Sequence, residues 1–126
     1  MKILIWLTAT LGLTACLSDR ETYSGMDFEV ISSPPSPVSI ESDRIELSAG
    51  IAVEVLAFPV FDYETERWRD VTLRPGDDEI FDVYHGEGDG EFVLVGLSPG
   101  RSCLRVRIGR REQECIDVRV SAPPEG

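Results

Sequence analysis

The chain has 126 residues, of which 12 are lysine or arginine and 23 are aspartate or glutamate, so its formal net charge is −11. A chain this acidic cannot neutralise a phosphate backbone, which excludes nucleic acid as an expected partner, and anionic lipid surfaces repel it. Its length suits one domain of ordinary size.

Residues 1–15 are apolar apart from a few small polar residues, and Lys2 is the only charged side chain among them. A helix needs about 20 apolar residues to cross a bilayer, so this segment is too short to span one. A charged start, an apolar middle and small residues at the end are typical of a secretory signal peptide. We therefore expect residues 1–15 to be removed during export.

The segment ends in Leu13-Thr14-Ala15-Cys16, which resembles the lipobox of bacterial lipoproteins. The resemblance implies that the Cys16 thiol receives a diacylglyceryl group and that its amine, in many species, receives a further acyl chain such as palmitate. Two or more acyl chains anchor a protein stably, whereas one chain binds weakly. Under the sorting rule of enterobacterial lipoproteins, Leu17 instead of aspartate after the cysteine favours transport to the outer membrane. The alternative is an ordinary secreted protein with a chance cysteine near the cleavage site.

Residues 17–37 are mostly polar and end in a cluster of serine and proline. This composition predicts a lipidated N-terminus and flexible tether over residues 16–36, which would reach ~70 Å if fully extended. Residues 27–31 are a candidate extra strand within it. A folded domain is predicted over residues 37–121, followed by a tail over residues 122–126.

After the tether, short apolar runs recur at roughly 8–12-residue spacing between turn residues, as β-sandwiches and barrels require. No segment shows a helical period, and residues 92–95 are apolar on both faces, as in a central strand. The pattern predicts an all-β domain of seven to eight strands. The runs are residues 38–40, 44–47, 51–57, 68–73, 80–84, 92–95, 104–108 and 116–120.

Four segments of this region together resemble the group 2 bacterial Ig-like domain, over roughly residues 37–121. They are Leu47–Gly50, Asp70–Leu73, Asp77–Val83 and Phe92–Gly100, the last ending in the "GLSPG" corner. The resemblance implies an immunoglobulin-like β-sandwich that serves as a spacer or binding module on bacterial surfaces, in adhesins among others. The chain departs from the family in Leu73, where tryptophan is frequent, and in its cysteine pair.

The chain has three cysteines, and if Cys16 carries lipid, Cys103 and Cys115 remain to form a disulfide in an oxidising compartment. The segment between them predicts a hairpin, because apolar residues alternate on both sides of Gly109. Side-chain parity favours a three-residue loop, either residues 108–110 or 109–111. The first choice places Cys103 directly opposite Cys115. A zinc site is the alternative, but the spacing is wrong and His85 is the only histidine.

The sequence offers little catalytic chemistry, and we expect neither a cofactor nor catalytic residues. His85 precedes the glycine-rich run Gly86–Glu91, which predicts an exposed loop histidine with no partner for nucleophilic catalysis. That run has the glycine content of a phosphate loop, but its carboxylates would repel phosphate. A strand-connecting turn is the better interpretation.

Immunoglobulin topology gathers three loops at one end of the sandwich. These loops would carry two arginines, Arg110 and Arg111. They would either screen the nearby carboxylates in exposed ion pairs or contact a partner through charge-assisted hydrogen bonds. The alternative is a calcium site, which needs 6–8 oxygen ligands, and the nearby arginines argue against it. Its candidate ligands are Asp62, Glu64, Glu66, Glu87 and Asp89.

The sequence therefore predicts a lipid-anchored protein of the bacterial envelope that presents one Ig-like domain as a structural or partner-binding module. We expect the domain to be monomeric, with the membrane contacted only through the lipid and an unidentified protein or envelope component as partner. Two alternatives stay open: an accessory subunit of an envelope complex, and a carboxylate-dependent enzyme.

Overall fold

A computed structural model describes residues 23–34, 38–62 and 71–123. In these ranges, apolar side chains alternate along extended segments, and every predicted run coincides with a strand or overlaps one. No helix in the described ranges has the length and hydropathy to cross a membrane. The described strands are β1 (Tyr23–Val30), β2 (Ser39–Ile40), β3 (Arg44–Ser48), β4 (Ala52–Phe61), β5 (Val71–Pro75), β6 (Phe81–His85), β7 (Glu91–Gly96), β8 (Gly100–Ile108) and β9 (Arg111–Ser121).

The strands form two sheets, with the orders β1-β4-β7-β6 and β2-β3-β9-β8-β5. Strand β3 runs parallel to β9, while the other neighbours are antiparallel. In immunoglobulin terms, β4 to β9 are strands B to G, with B, E and D in one sheet and C, F and G in the other. The predicted all-β, immunoglobulin-like sandwich is confirmed, with nine strands in the described ranges instead of seven or eight.

The core lies between the two sheets and is built from every second residue of each long strand. Phe81 and Phe92 are its largest buried side chains, at 1% and 2% exposure. From the opposite sheet, Leu104, Val106 and Val118 contribute fully buried side chains. The residues that alternate with the core residues along each strand point away from the core and form the outer face of each sheet.

Strand β1 corrects the predicted tether, because residues 23–30 pair with β4 along its whole length. Met26 is completely buried, and Phe28 packs against the core. Asp27 and Glu29 alternate with them on the outer face, so this segment looked polar in sequence although half of it is buried. The sandwich therefore begins by Tyr23 rather than at residue 37.

Pro59 lies inside β4, where it pairs with Met26 of β1. A proline is tolerated in a strand where its missing N–H has no partner to lose. The N–H of Ala57 points towards the β7 side and donates to the carbonyl of Gly90 at 2.8 Å. The nitrogen of Pro59, two residues later, faces the same side, but the pairing of β4 with β7 ends at Leu56 and Glu91. The missing N–H of Pro59 therefore removes no hydrogen bond between these strands.

The β8–β9 hairpin also differs from its predicted register. Ile108 pairs with Arg111 around a two-residue turn. The register then shifts by one residue between Arg107 and Val106, so that from Val106 onwards core-facing residues of the two strands are paired. The extra residue is Gln113, so the three-residue loop is wrong. A bulge achieves what the longer loop was expected to do: it keeps the apolar residues of both strands on the core face. Gly109 has a φ of 61°, the positive value that primed hairpin turns need at their first central position.

Candidate functional site

Three loops meet at the end of the sandwich where β1 begins, which we call the loop end. Its described residues are Asp62 after β4, residues 86–90 between β6 and β7, and the β8–β9 turn. The topology thus agrees with the predicted clustering. The calcium candidates Glu64 and Glu66 lie outside the described residues.

Asp62 and Glu91 form local hydrogen bonds at or beside the loop end. Asp62 accepts a hydrogen bond from the hydroxyl of Ser24 at 2.7 Å. The β6–β7 loop, which carries Glu87 and Asp89, is closed by hydrogen bonds between Glu91 and the backbone N–H groups of Gly86 and Gly88. Among the described residues, no group of three or more histidine, cysteine, aspartate or glutamate side chains could hold a metal ion.

Arg110 and Arg111 are both exposed at the tip of the β8–β9 hairpin. This position leaves their guanidinium groups accessible to a partner at the loop end. The partner-binding role predicted for them stays a prediction.

His85 is the last residue of β6 instead of a loop residue, and its ring centroid lies 4.9 Å from that of Phe92. It borders a shallow hollow of about 490 Å³ on the outer face, together with Ile31, Glu54 and Glu91. The hollow is open, and its ionisable side chains are carboxylates and one histidine. The aromatic contact gives His85 a packing role.

The outer face of the β2-β3-β9-β8-β5 sheet, here the arginine face, carries six outward arginines. Arg74 lies directly opposite Arg105, and Arg101 lies directly opposite Arg119. Like charges in directly opposed positions destabilise a sheet, so this register has an electrostatic cost in the isolated domain. The six are Arg44, Arg74, Arg101, Arg105, Arg107 and Arg119.

Acidic side chains offset part of the positive charge on the arginine face. Glu46, Glu112 and Asp117 also point outward there, and Glu41 lies 3.5 Å from Arg44. Glu112 accepts a hydrogen bond from Nε of Arg105 at 2.6 Å, and this bond raises the pKa of Arg105 and lowers that of Glu112. Glu46 lies 3.5 Å from Arg44. These pairs are exposed, where each contributes only about 0–1 kcal/mol.

The outer face of the β1-β4-β7-β6 sheet, here the acidic face, has the opposite character. Its four strands contain no lysine or arginine. Large apolar side chains lie among its carboxylates, including Phe58 at 38% exposure, Val60 at 36% and Tyr84 at 55%. The outward carboxylates on its strands are Asp27, Glu29, Glu54, Asp82 and Glu91.

Sequence reasoning missed this separation of charge. The alternation in Leu104–Ile108 already placed Arg105 and Arg107 on one face, which was the available signal. The strand order was still needed to show that Arg74 and Arg119 share that face. The net charge of −11 therefore conceals a domain with two unlike faces.

The disulfide joins Cys103 and Cys115 on the arginine face, with their Cα atoms 5.2 Å apart. Cys103 is paired with Asp117 and Cys115 with Arg105, so the bond crosses the two strands diagonally. The predicted bond is present, but not between directly opposed residues. Gly76 lies against it: a side chain there would come within 3.1 Å of the Cys103 sulfur.

A side-chain contact links the two sheets at the loop end. The Tyr23 hydroxyl of β1 donates a hydrogen bond to the Glu114 carboxylate of β9, and the Tyr23 ring meets Phe61 edge-on at 6.1 Å. Burial, the hydrogen bond and the charge of Glu114 together raise the pKa of Tyr23 well above its ordinary value. This contact fixes the start of β1 against both sheets.

Replacing Tyr23 with phenylalanine should lower the free energy of unfolding at pH 7 by about 1–2 kcal/mol, because Glu114 loses its donor while still half-buried. Because the pKa of Tyr23 is higher in the folded protein than in the unfolded chain, the protonated hydroxyl stabilises the fold. This contribution is complete below the unfolded-state pKa, which is near 10, and decreases as the pH rises above that value. Urea denaturation between pH 9 and 11 should show a steeper loss for the wild type than for Tyr23→Phe. An equal dependence of unfolding free energy on pH in the two proteins would contradict the prediction. Tyr84 also has a raised pKa, but it is present in both proteins and cannot account for a difference between them.

No family model matches the chain, and no curated protein matches it. Among solved structures, domains 1–6 of the surface layer protein SbsC superpose with a TM-score of 0.57 at 14% identity, over 84% of this chain and 14% of that one. Domains 5–6 of the S-layer protein SbsC superpose with a TM-score of 0.50 at 14% identity, over 75% of this chain and 45% of that one. The chain spans less than half of either structure, and at these identities the likeness shows a shared β-domain fold.

Proposed function

We propose that this chain is a lipid-anchored bacterial envelope protein, held in the outer membrane through Cys16, whose Ig-like domain is a non-catalytic structural or partner-binding module. The observation that carries the proposal is the disulfide-bonded sandwich that follows a segment resembling a lipobox. A disulfide on an outer sheet face is expected of a domain that lives in an oxidising compartment. The fold is shared with domains of surface layer proteins, which supports an envelope role.

The start of β1 gives this proposal a geometry. Only residues 17–22 separate Cys16 from Tyr23, and the seven Cα–Cα steps between these two residues span at most ~25 Å. Tyr23 lies at the loop end and is held there by Phe61 and Glu114. A lipid on Cys16 would therefore keep Tyr23, and with it the loop end, close to the bilayer surface, with Tyr23 at most ~25 Å away.

The Cys16→Ser variant tests the anchor. We expect it to lose metabolic labelling with a fatty-acid probe and to leave the membrane fraction for the soluble fraction, because no thiol remains to carry the diacylglyceryl group. The matched control is the double variant Cys103→Ser/Cys115→Ser, which removes the other two cysteines but retains Cys16, and so should keep both the label and the membrane location. Equal labelling and membrane retention of Cys16→Ser and wild type would contradict the proposal.

A further inference from the structure

The basic residues of the described strands are confined to one sheet, whose outer face also carries the carboxylates Glu46, Glu112 and Asp117. Strands β1, β4, β6 and β7 carry five outward carboxylates and no arginine or lysine. All eight arginines in the described ranges lie on the other sheet or on its β8–β9 turn. The two faces are on opposite sides of one sandwich, so each copy presents an acidic and a basic surface in opposite directions.

We propose that the arginine face docks on the acidic face of a second copy of this chain, so that domains stack face to face in rows. Both surfaces have the spacing of a β-sheet, ~4.8 Å between strands, which lets rows of arginines meet rows of carboxylates. Guanidinium groups pair with carboxylates through two parallel hydrogen bonds and stack on aromatic rings. Phe58 and Tyr84 supply such rings among the carboxylates of the acidic face.

The opposed arginine pairs support an anionic occupant. Arg101 repels Arg119 in the free domain, and Arg74 repels Arg105, whose charge is partly offset by Glu112. Carboxylates of a docked copy would reduce this repulsion. A long polyanion is a poorer fit than a second copy. A polymer extending past the face would meet the acidic turns at the ends of the sandwich, such as Asp77–Glu79 and Glu87–Asp89.

The contact joins unlike faces, so it leaves one free face on each outer copy and does not close into a two-fold dimer. Each face measures roughly 20 by 20 Å, which places the interface at the weak, transient end of the size range. Confinement of the proposed lipid-anchored protein to a membrane would raise the effective concentration of copies and so favour their contact. This last point rests on the proposed anchor, whereas the docking itself does not.

Two variants of the full-length chain, purified in nonionic detergent, test the docking by sedimentation velocity at 0.15 M NaCl. The first, Arg74→Gln/Arg105→Gln, weakens the arginine face and leaves the acidic face intact. The second, Glu29→Gln/Glu54→Gln, does the reverse. Wild type should form concentration-dependent oligomers that dissociate at high salt, since these contacts are electrostatic. Each variant alone should bind itself roughly tenfold more weakly.

Mixing the variants gives the decisive result. The intact acidic face of the first can dock on the intact arginine face of the second, so the mixture should form 1:1 dimers that do not grow further. The control, Asp78→Asn/Glu79→Gln, removes two carboxylates from the exposed turn between β5 and β6, outside both faces, and should associate like wild type. Unchanged thermal unfolding of every variant shows that folding is not responsible.

Three outcomes would overturn the proposal. Wild type could sediment as a monomer at every concentration, or the mixture could behave as the sum of its parts. Wild type could also remain monomeric yet bind dextran sulfate in a manner abolished by Arg74→Gln/Arg105→Gln, which would make the arginine face a site for a polyanion. Loss of membrane location in Cys16→Ser bears on the anchor alone, so the two proposals fail separately.

Discussion

The Gly96→Ala variant should unfold at least 10 °C below the wild type, with a loss of about 3 kcal/mol in the free energy of unfolding. Gly96 ends β7, where the chain passes close to the turn between β3 and β4. A methyl group there would overlap the carbonyl oxygen of Ser48 and lie 3.1 Å from its carbonyl carbon. Both atoms belong to the backbone, so no side chain can rotate away to make room.

The surrounding hydrogen bonds make this approach rigid. The N–H of Gly96 donates to the carbonyl of Ile51 at 2.9 Å, and the carbonyl of Gly96 accepts from Gly50 at 2.8 Å. Relieving the overlap would break these bonds and disturb the neighbouring Leu97, whose N–H donates to Ile80. We therefore expect the damage to spread along the "GLSPG" corner.

Thermal unfolding followed by circular dichroism measures the effect, with Gly109→Asn as the control. Gly109 has nothing within 4 Å of an added Cβ, and asparagine tolerates its positive φ. The control should cost less than about 1 kcal/mol. Equal stability of Gly96→Ala and wild type would show that the β3–β4 turn is not held against β7 as described.

Removing the disulfide should have an effect of similar size. The double variant Cys103→Ser/Cys115→Ser should lose about 3 kcal/mol, mainly because the unfolded chain regains the freedom that the closed loop denies it. Cross-strand hydrogen bonds hold the two strands together in the folded state without the bond. We therefore expect a folded but less stable domain, measured by urea denaturation with and without reductant.

The reductant supplies the control for this prediction. Reduced wild type should match the double variant within about 0.5 kcal/mol, and a reductant should not affect the variant. Peptide mapping of non-reduced protein should find the two cysteines linked. Free, alkylatable thiols at Cys103 and Cys115 in exported protein, or no change in stability on reduction, would contradict the account.

The alternation of apolar residues was sufficient to predict the strands from Val38 onwards, because burial on one face repeats every second residue. Strand β1 was harder to predict, since an edge strand that buries Met26 and Phe28 shows as many polar as apolar residues. The predicted register of the β8–β9 hairpin was wrong because either a longer loop or a bulge can keep the apolar residues of both strands on the core face. The sequence around Gln113 does not distinguish these two arrangements.

The candidate surfaces depended on information that a single strand does not contain. Arg105 and Arg107 could be placed together from their spacing, but Arg74 joins them only because β5 pairs with β8. Likewise, the carboxylates of the acidic face come from four strands that are scattered along the chain. The site expected at the loop end was inferred from loop residues alone. It therefore missed the charge separation, which lies on the outer faces of the two sheets.

The measurement that tests the central claim most directly is the mass of the N-terminal tryptic peptide of the protein isolated from membranes. Trypsin cleaves after Arg20, so the account predicts a peptide that begins at Cys16 and carries a diacylglyceryl group, with or without a further acyl chain on the amine. A peptide that begins at Ile3, which trypsin would release from the uncleaved chain, or one that contains unmodified Cys16, would contradict a lipid-anchored envelope protein.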